Sequence, residues 1–188
     1  MIRNRSLILL LLGAWLGASI LVDIAVTQNF QTVDRFLASP ENPAASDRLN
    51  AMGQDRARLF LRRNAAEENN WIFTNWERAE LGIGALLILM LAVDERRRRL
   101  ALAAAALALA IVAAERLFLT PRITTLGRVI DGLTPADPRY RTFWMLHGFY
   151  SGLDILKMLL IFGLGARLAS ARGTAAAASQ EALVHSHG

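Results

Sequence analysis

Apolar residues in this chain are gathered into long blocks, and the block lengths predict an all-α integral membrane protein. Leu7 to Val26 is interrupted only by Asp23, and about 20 such residues cross a hydrocarbon core of roughly 30 Å. A polar stretch follows from Gln28 to Asn70. It holds Pro40 and Pro43 in a loop and, from Ser46 to Glu68, a pattern with Leu49, Met52, Leu59 and Phe60 at near-helical spacing that predicts an amphipathic surface helix. The next apolar core, Leu81 to Val93, is only 13 residues long. A spanning helix there must recruit Trp71 to Glu80 and carry Glu77, Arg78 and Glu80 below the headgroups.

A short turn, Asp94 to Arg99, leads to the alanine-rich block Leu100 to Leu119, charged only at Glu115 and Arg116 and closed by Pro121. These two helices are expected as a tight antiparallel hairpin. Beyond a polar loop from Arg122 to Thr142, the block Phe143 to Leu168 has spanning length but carries His147, Asp154 and Lys157. The pattern thus predicts a four-helix membrane domain over residues 1–170, with spans at 7–27, 71–93, 100–119 and 143–168, a polar loop with its amphipathic helix at 28–70, and a disordered tail at 171–188.

Composition narrows the chemistry. The chain of 188 residues is 54% hydrophobic and has no cysteine, which excludes a disulfide framework, thiolate metal sites and a cysteine nucleophile. The net charge of +5 comes almost wholly from arginine, since Lys157 is the sole lysine. Beside apolar blocks this points to anionic lipid headgroups and topology control rather than to nucleic acid. Arg3 and Arg5 before the first span, and the arginine run in the short turn, place both termini in the cytoplasm of a multi-pass inner-membrane protein. The first span is read as an uncleaved anchor. No phosphate-binding glycine loop, HExxH, GxSxG or paired-histidine haem pattern is present, so the chain is read as a non-enzyme with no cofactor.

The candidate site is a layer of buried charge. Helix rise puts Glu80, Glu115 and Asp154 each roughly 20 Å from the cytoplasmic helix ends, with Arg116 alongside, Asp23 and Glu77 further out and Lys157 nearer the middle. Each ionisable residue at a span centre costs about 2.5 to 3.5 kcal/mol on insertion scales, so residues at one depth belong facing each other inside the bundle. His147, Tyr150 or Ser151, Asp154 and Lys157 form one stripe, and Glu77, Glu80 and Gly84 another. Two readings stand. In the first, Arg78 and Arg116 neutralise the carboxylates and fix helix register. In the second, the carboxylate surplus binds or conducts a proton or small cation, with His147 as its entry group. A structural or assembly subunit of a membrane complex, or a homo-oligomer, is the alternative role. His147 and the His185-Ser-His187 tail are not read as a metal site.

Gly13-x-x-x-Gly17, Gly148-x-x-x-Gly152 and the Gly82 and Gly84 pair are expected to let helices approach, while Trp71, Trp76 and Trp144 are expected in an outer aromatic belt. Arg56 to Arg63 offers a possible contact for anionic headgroups. The residues Trp15-Leu16-Gly17, Thr120-Pro121-Arg122 and Phe143-x-x-Leu146-His147 leading to Asp154 resemble an uncharacterised four-helix bacterial membrane family, domain of unknown function 4149. The resemblance implies a small inner-membrane protein with a tight second hairpin and a histidine on the fourth helix, and it carries no established activity or cofactor.

Overall fold

The structure is a computed structural model that describes residues 2–38, 43–92 and 98–185, and all regular elements among them are helical. Helix α1 spans Ile2–Ala38, α2 Pro43–Met52, α3 Gln54–Ala92 and α4 Arg98–Ala114. A π-helical turn at Glu115–Leu119 joins α4 to α5, Thr120–Gly127, and after a short 3-10 turn at Ile130–Gly132 the chain enters α6, Pro138–His185. Helices α1, α3, α4 and α6 pack in that order around a closed ring, α4 meeting α3 on one side and α6 on the other.

Each ring helix turns one stripe inward at helical spacing: Ile8, Leu12, Trp15 and Ser19 on α1; Glu77, Glu80, Gly84, Leu87 and Leu91 on α3; Ala101, Ala105, Ala108 and Val112 on α4; Tyr150, Asp154, Lys157, Ile161 and Leu164 on α6. Toward the helix-end that holds Leu91, Ala101 and Leu164 the inward stripes form an apolar core. At the level of Glu80 and Lys157 it becomes charged. Gly84 makes the transition possible, because a Cβ there would stand 2.7 Å from Leu109 Cδ1 and 3.2 Å from Trp15 Cη2. A side chain there would require Leu109 to move and would press on the Trp15 indole.

Two helical stretches are long and apolar enough to cross a membrane, Asn4–Ala38 and Arg99–Gly127. The stretch expected as a polar loop is largely helix. Helix α1 continues to Ala38, and the expected amphipathic helix is divided at Gly53: the part with Leu49 and Met52 lies in α2, and the part with Leu59 and Phe60 is continuous inside α3 with the second expected span. From Gln54 to Leu81 there is neither proline nor glycine to stop it, and the break comes at Gly53, whose φ of +84° takes the left-handed conformation glycine favours.

Pro121 does not end the third span either. A proline has no N–H for the carbonyl four residues back. Here the preceding turn widens so that Thr120 N–H bonds to Glu115 O, and the proline falls in the first turn of α5, where its missing donor costs nothing. Helix α6 runs on through the stretch expected to lack structure, where Ala175 to Ala178 have the highest helix propensity. Most of the arginine turn, residues 93–97, and the end of the tail with His187 lie outside the described residues.

Candidate functional site

Lys157 is the centre of the buried charge. Its ammonium lies 2.7 Å from Glu80 Oε1, 2.5 Å from Asp154 Oδ1 and 3.8 Å from Glu115 Oε2, and its side chain is almost wholly excluded from solvent. The Asp154 contact is within one helix at i, i+3, as the α6 stripe requires. The other two reach across the bundle to α3 and to the π-helical turn. Glu80 Oε1 also accepts from Trp15 Nε1 at 2.8 Å and from Ser19 Oγ at 3.2 Å, both on α1. One carboxylate oxygen therefore gathers α1, α3 and α6, and Glu115 brings in the fourth side of the ring. Asp23, half-buried on α1, lies within electrostatic reach of Asp154, Lys157 and Glu80.

Glu77, one turn along α3 from Glu80, is fully buried and has its own partners. Thr120 Oγ1 donates to its Oε1, Tyr150 OH approaches the same oxygen at 3.3 Å, and Arg116 Nε stands 3.9 Å from Oε2. Arg116 thus faces a carboxylate of α3, and that carboxylate is Glu77; Glu80 is taken by Lys157, Trp15 and Ser19. The charge count is lopsided. Asp23, Glu77, Glu80, Glu115 and Asp154 are set against Lys157 and Arg116. Oε2 of Glu77, Oε2 of Glu80 and both oxygens of Glu115 have no hydrogen-bond donor among the described residues.

Two expected members stand apart from this cluster. Arg78 is exposed and bonds to Asn75 Oδ1 at 3.3 Å on its own helix. It follows Glu77 directly, so helix geometry turns it about 160° away from Glu80. His147 is also exposed, stacked on Phe143 at 5.9 Å and edge-on to Trp144, where the start of α6 borders an open cleft.

That cleft, about 900 Å³ in volume, lies between α3, α5 and α6 and was not anticipated from the sequence. Its floor includes Thr120 and Tyr150, the two hydroxyls on Glu77, and its rim includes Arg62, Arg63, Glu67 and Arg128. Above the charged layer, buried Asn69 donates to Val26 O at 2.9 Å and accepts from Asn29 at 2.7 Å, tying α1 to α3. Trp15, Ser19, Thr120 and Asn69 are the site residues that sequence reasoning missed. For Trp15 a signal existed: a tryptophan in mid-span rather than at an interface needs an acceptor for its N–H.

The packing glycines also lie differently from expectation. Gly84 is closely packed, whereas Cβ atoms at Gly13, Gly17, Gly82, Gly148 and Gly152 would meet nothing within 4 Å. Trp71 and Trp144 are exposed, whereas Trp76 is half-buried against the core. Compared with protein-family models, with curated proteins and with solved structures, the chain matches none.

Proposed function

We propose that this chain is a four-span protein of a bacterial inner membrane, with both termini cytoplasmic, and that its buried cluster takes up and releases a proton. Support for the membrane placement comes from an inverted distribution of polarity. At the level of Lys157 the interior is charged, while Ile155, Leu156, Leu159 and Phe162 on α6, and Leu86 and Leu89 on α3, face outward and exposed. Water does not favour that arrangement, and a hydrocarbon solvent does. The interior charges come from every side of the ring: Glu77, Glu80, Asp154 and Lys157 from α3 and α6, and Asp23 and Glu115 from the two stretches apolar enough to span.

The observation that carries the proton reading is Glu115. Its side chain is fully buried, neither oxygen receives a hydrogen bond, and its nearest cation is the Lys157 ammonium at 3.8 Å, already closer to Glu80 and Asp154. An ionised carboxylate in that position keeps the full cost of leaving water. A proton removes the charge and supplies a donor. Among the described residues no group of three His, Asp or Glu side chains is arranged to hold a metal ion, so the proton is preferred to a metal cation.

Thr120 and Tyr150, which touch both the cleft and Glu77, form the route by which the cluster meets solvent. The test is a series of melting curves in detergent against pH and common cations for the parent and for Glu115→Gln, which keeps shape and hydrogen-bonding capacity. Glu115→Gln is expected to fold and to lose a pH-dependent stabilisation present in the parent. A parent without pH dependence, or one whose dependence survives the substitution unchanged, contradicts the reading.

A second reading, a subunit that assembles with other membrane helices or with copies of itself, is favoured by one observation. The Gly13 to Gly17 and Gly148 to Gly152 motifs open outward, where they suit close approach of a partner helix. Reconstitution that yields only a monomer at all protein-to-lipid ratios removes self-assembly.

A further inference from the structure

We infer that the cleft between α3, α5 and α6 binds one anionic phospholipid, its phosphate at Arg62 and Arg63 and an acyl chain against Phe73, Phe143 and Trp144. The inference rests on the membrane placement proposed above and is independent of proton binding. A volume of about 900 Å³ is in the range of sites that enclose small molecules. Its lining divides into two zones. Aromatic and aliphatic side chains, Phe73, Ile123, Phe143 and Trp144 among them, cover the part near Tyr150, and charged groups gather at the rim.

The rim charges differ in how firmly they are held. Arg128 grips Glu67 with two bonds, Nε at 2.8 Å and Nη2 at 3.1 Å, and is fully engaged. Arg62 comes no closer than 3.9 Å to Asp34 and lies over the Phe30 ring at 5.3 Å, and Arg63 stands 3.6 Å from Asp131. Those two contacts exceed hydrogen-bond length, so each guanidinium retains donors for a phosphate. A lipid ammonium is less well served, because Glu67 is fully engaged by Arg128 and the rim carries three arginines, Arg62, Arg63 and Arg128, against the two carboxylates of Glu67 and Asp131.

Depth agrees with this polarity. Arg63 lies about 12 Å along α3 from Trp71, which marks the boundary of headgroups and acyl chains, and arginine is long enough to reach back toward it. Inorganic phosphate satisfies the rim but leaves the aromatic zone unused; a phospholipid satisfies both.

The full chain, purified in mild detergent, can be examined by native mass spectrometry and thermal melting with phosphatidylglycerol, phosphatidylcholine or inorganic phosphate. One phosphatidylglycerol per chain is expected to be retained, with a preference over phosphatidylcholine of roughly thirtyfold, the size expected of two arginines near a charged headgroup. The melting temperature rises with that lipid and not with phosphate.

Two variants locate the site. Ala66→Trp fills the cleft from α3, and the double substitution Arg62→Gln with Arg63→Gln removes the head contacts from exposed positions, so that lipid-free melting stays at the parental value. Both are expected to lose the retained lipid. Equal retention of the two lipids, equal stabilisation by phosphate, or binding that persists in both variants overturns the inference. Failure of the membrane placement is read separately, as release of the chain from membranes by alkaline carbonate.

Discussion

Lys157 Nζ stands 2.7 Å from Glu80 Oε1, and through this contact α6 is tied to α3 at the point where the interior changes from apolar to charged. A buried ion pair between two helices fixes their register, because either charge left alone keeps the cost of leaving water. Replacing Lys157 by Met leaves Glu80, Asp154 and Glu115 without their shared cation. Loss of one partner of a buried pair costs about 3 to 5 kcal/mol. Unfolding in detergent is expected to show a loss of that size for Lys157→Met, part of it recovered when Glu80→Gln and Asp154→Asn are added. A loss no larger than that of exposed Arg139→Met removes the ammonium from its central place.

Trp15 is expected to matter through its nitrogen as well as its volume. The change Trp15→Phe keeps most of the apolar surface and deletes the donor to Glu80 Oε1. Leaving a buried acceptor short of a partner costs about 1 to 3 kcal/mol. A double-mutant cycle with Glu80→Gln measures the coupling, and strict additivity contradicts it.

Glycines on α3 provide an internal control. A Cβ at Gly84 collides with Leu109 and presses on the indole that Glu80 holds in place, while one at Gly82 meets nothing. Overpacking costs about 1 to 3 kcal/mol, so Gly84→Ala is expected to melt below Gly82→Ala by a comparable margin. Equal melting of the two variants contradicts the close approach of Trp15 to α3.

On the exposed face of α3, the hydrogen bonds from Arg128 hold the Glu67 carboxyl below the usual carboxylate range. A carboxylate with a lowered folded value contributes stability above its unfolded value, and that contribution is lost as pH falls through the folded value. Because the pair is exposed, the effect is small and salt-sensitive. Titration of Glu67 by NMR is expected to show an upward shift in Arg128→Gln, and an unchanged midpoint removes the pair.

Inward stripes were legible in the sequence because one helix period defines them: Tyr150, Asp154 and Lys157 on α6, and Glu77, Glu80 and Gly84 on α3. The same period, applied strictly, also turns Arg78 outward; charge balance argued for keeping it and was the weaker guide. Partner choice across helices was less legible. Arg116 shares a depth with Glu80 by counting residues, but the π-helical turn at Glu115–Leu119 rotates the chain there, and Arg116 meets Glu77 instead. The cleft was not legible at all, since it is made by where α5 and the start of α6 come to lie against α3. Helix lengths were underestimated because hydropathy marks where a bilayer can hold a helix, whereas α1 runs on to Ala38 and α3 begins as early as Gln54, just after Gly53, with no proline or glycine to interrupt it before Leu81.

The central claim, a proton held in the buried cluster, is tested most directly by infrared spectroscopy of the chain reconstituted in lipid. At neutral pH the account predicts the carbonyl band of a protonated carboxyl group, shifted in heavy water, lost as pH rises, and absent or displaced in Glu115→Gln. No such band at any pH where the helices persist, or a band that Glu115→Gln leaves untouched, contradicts it.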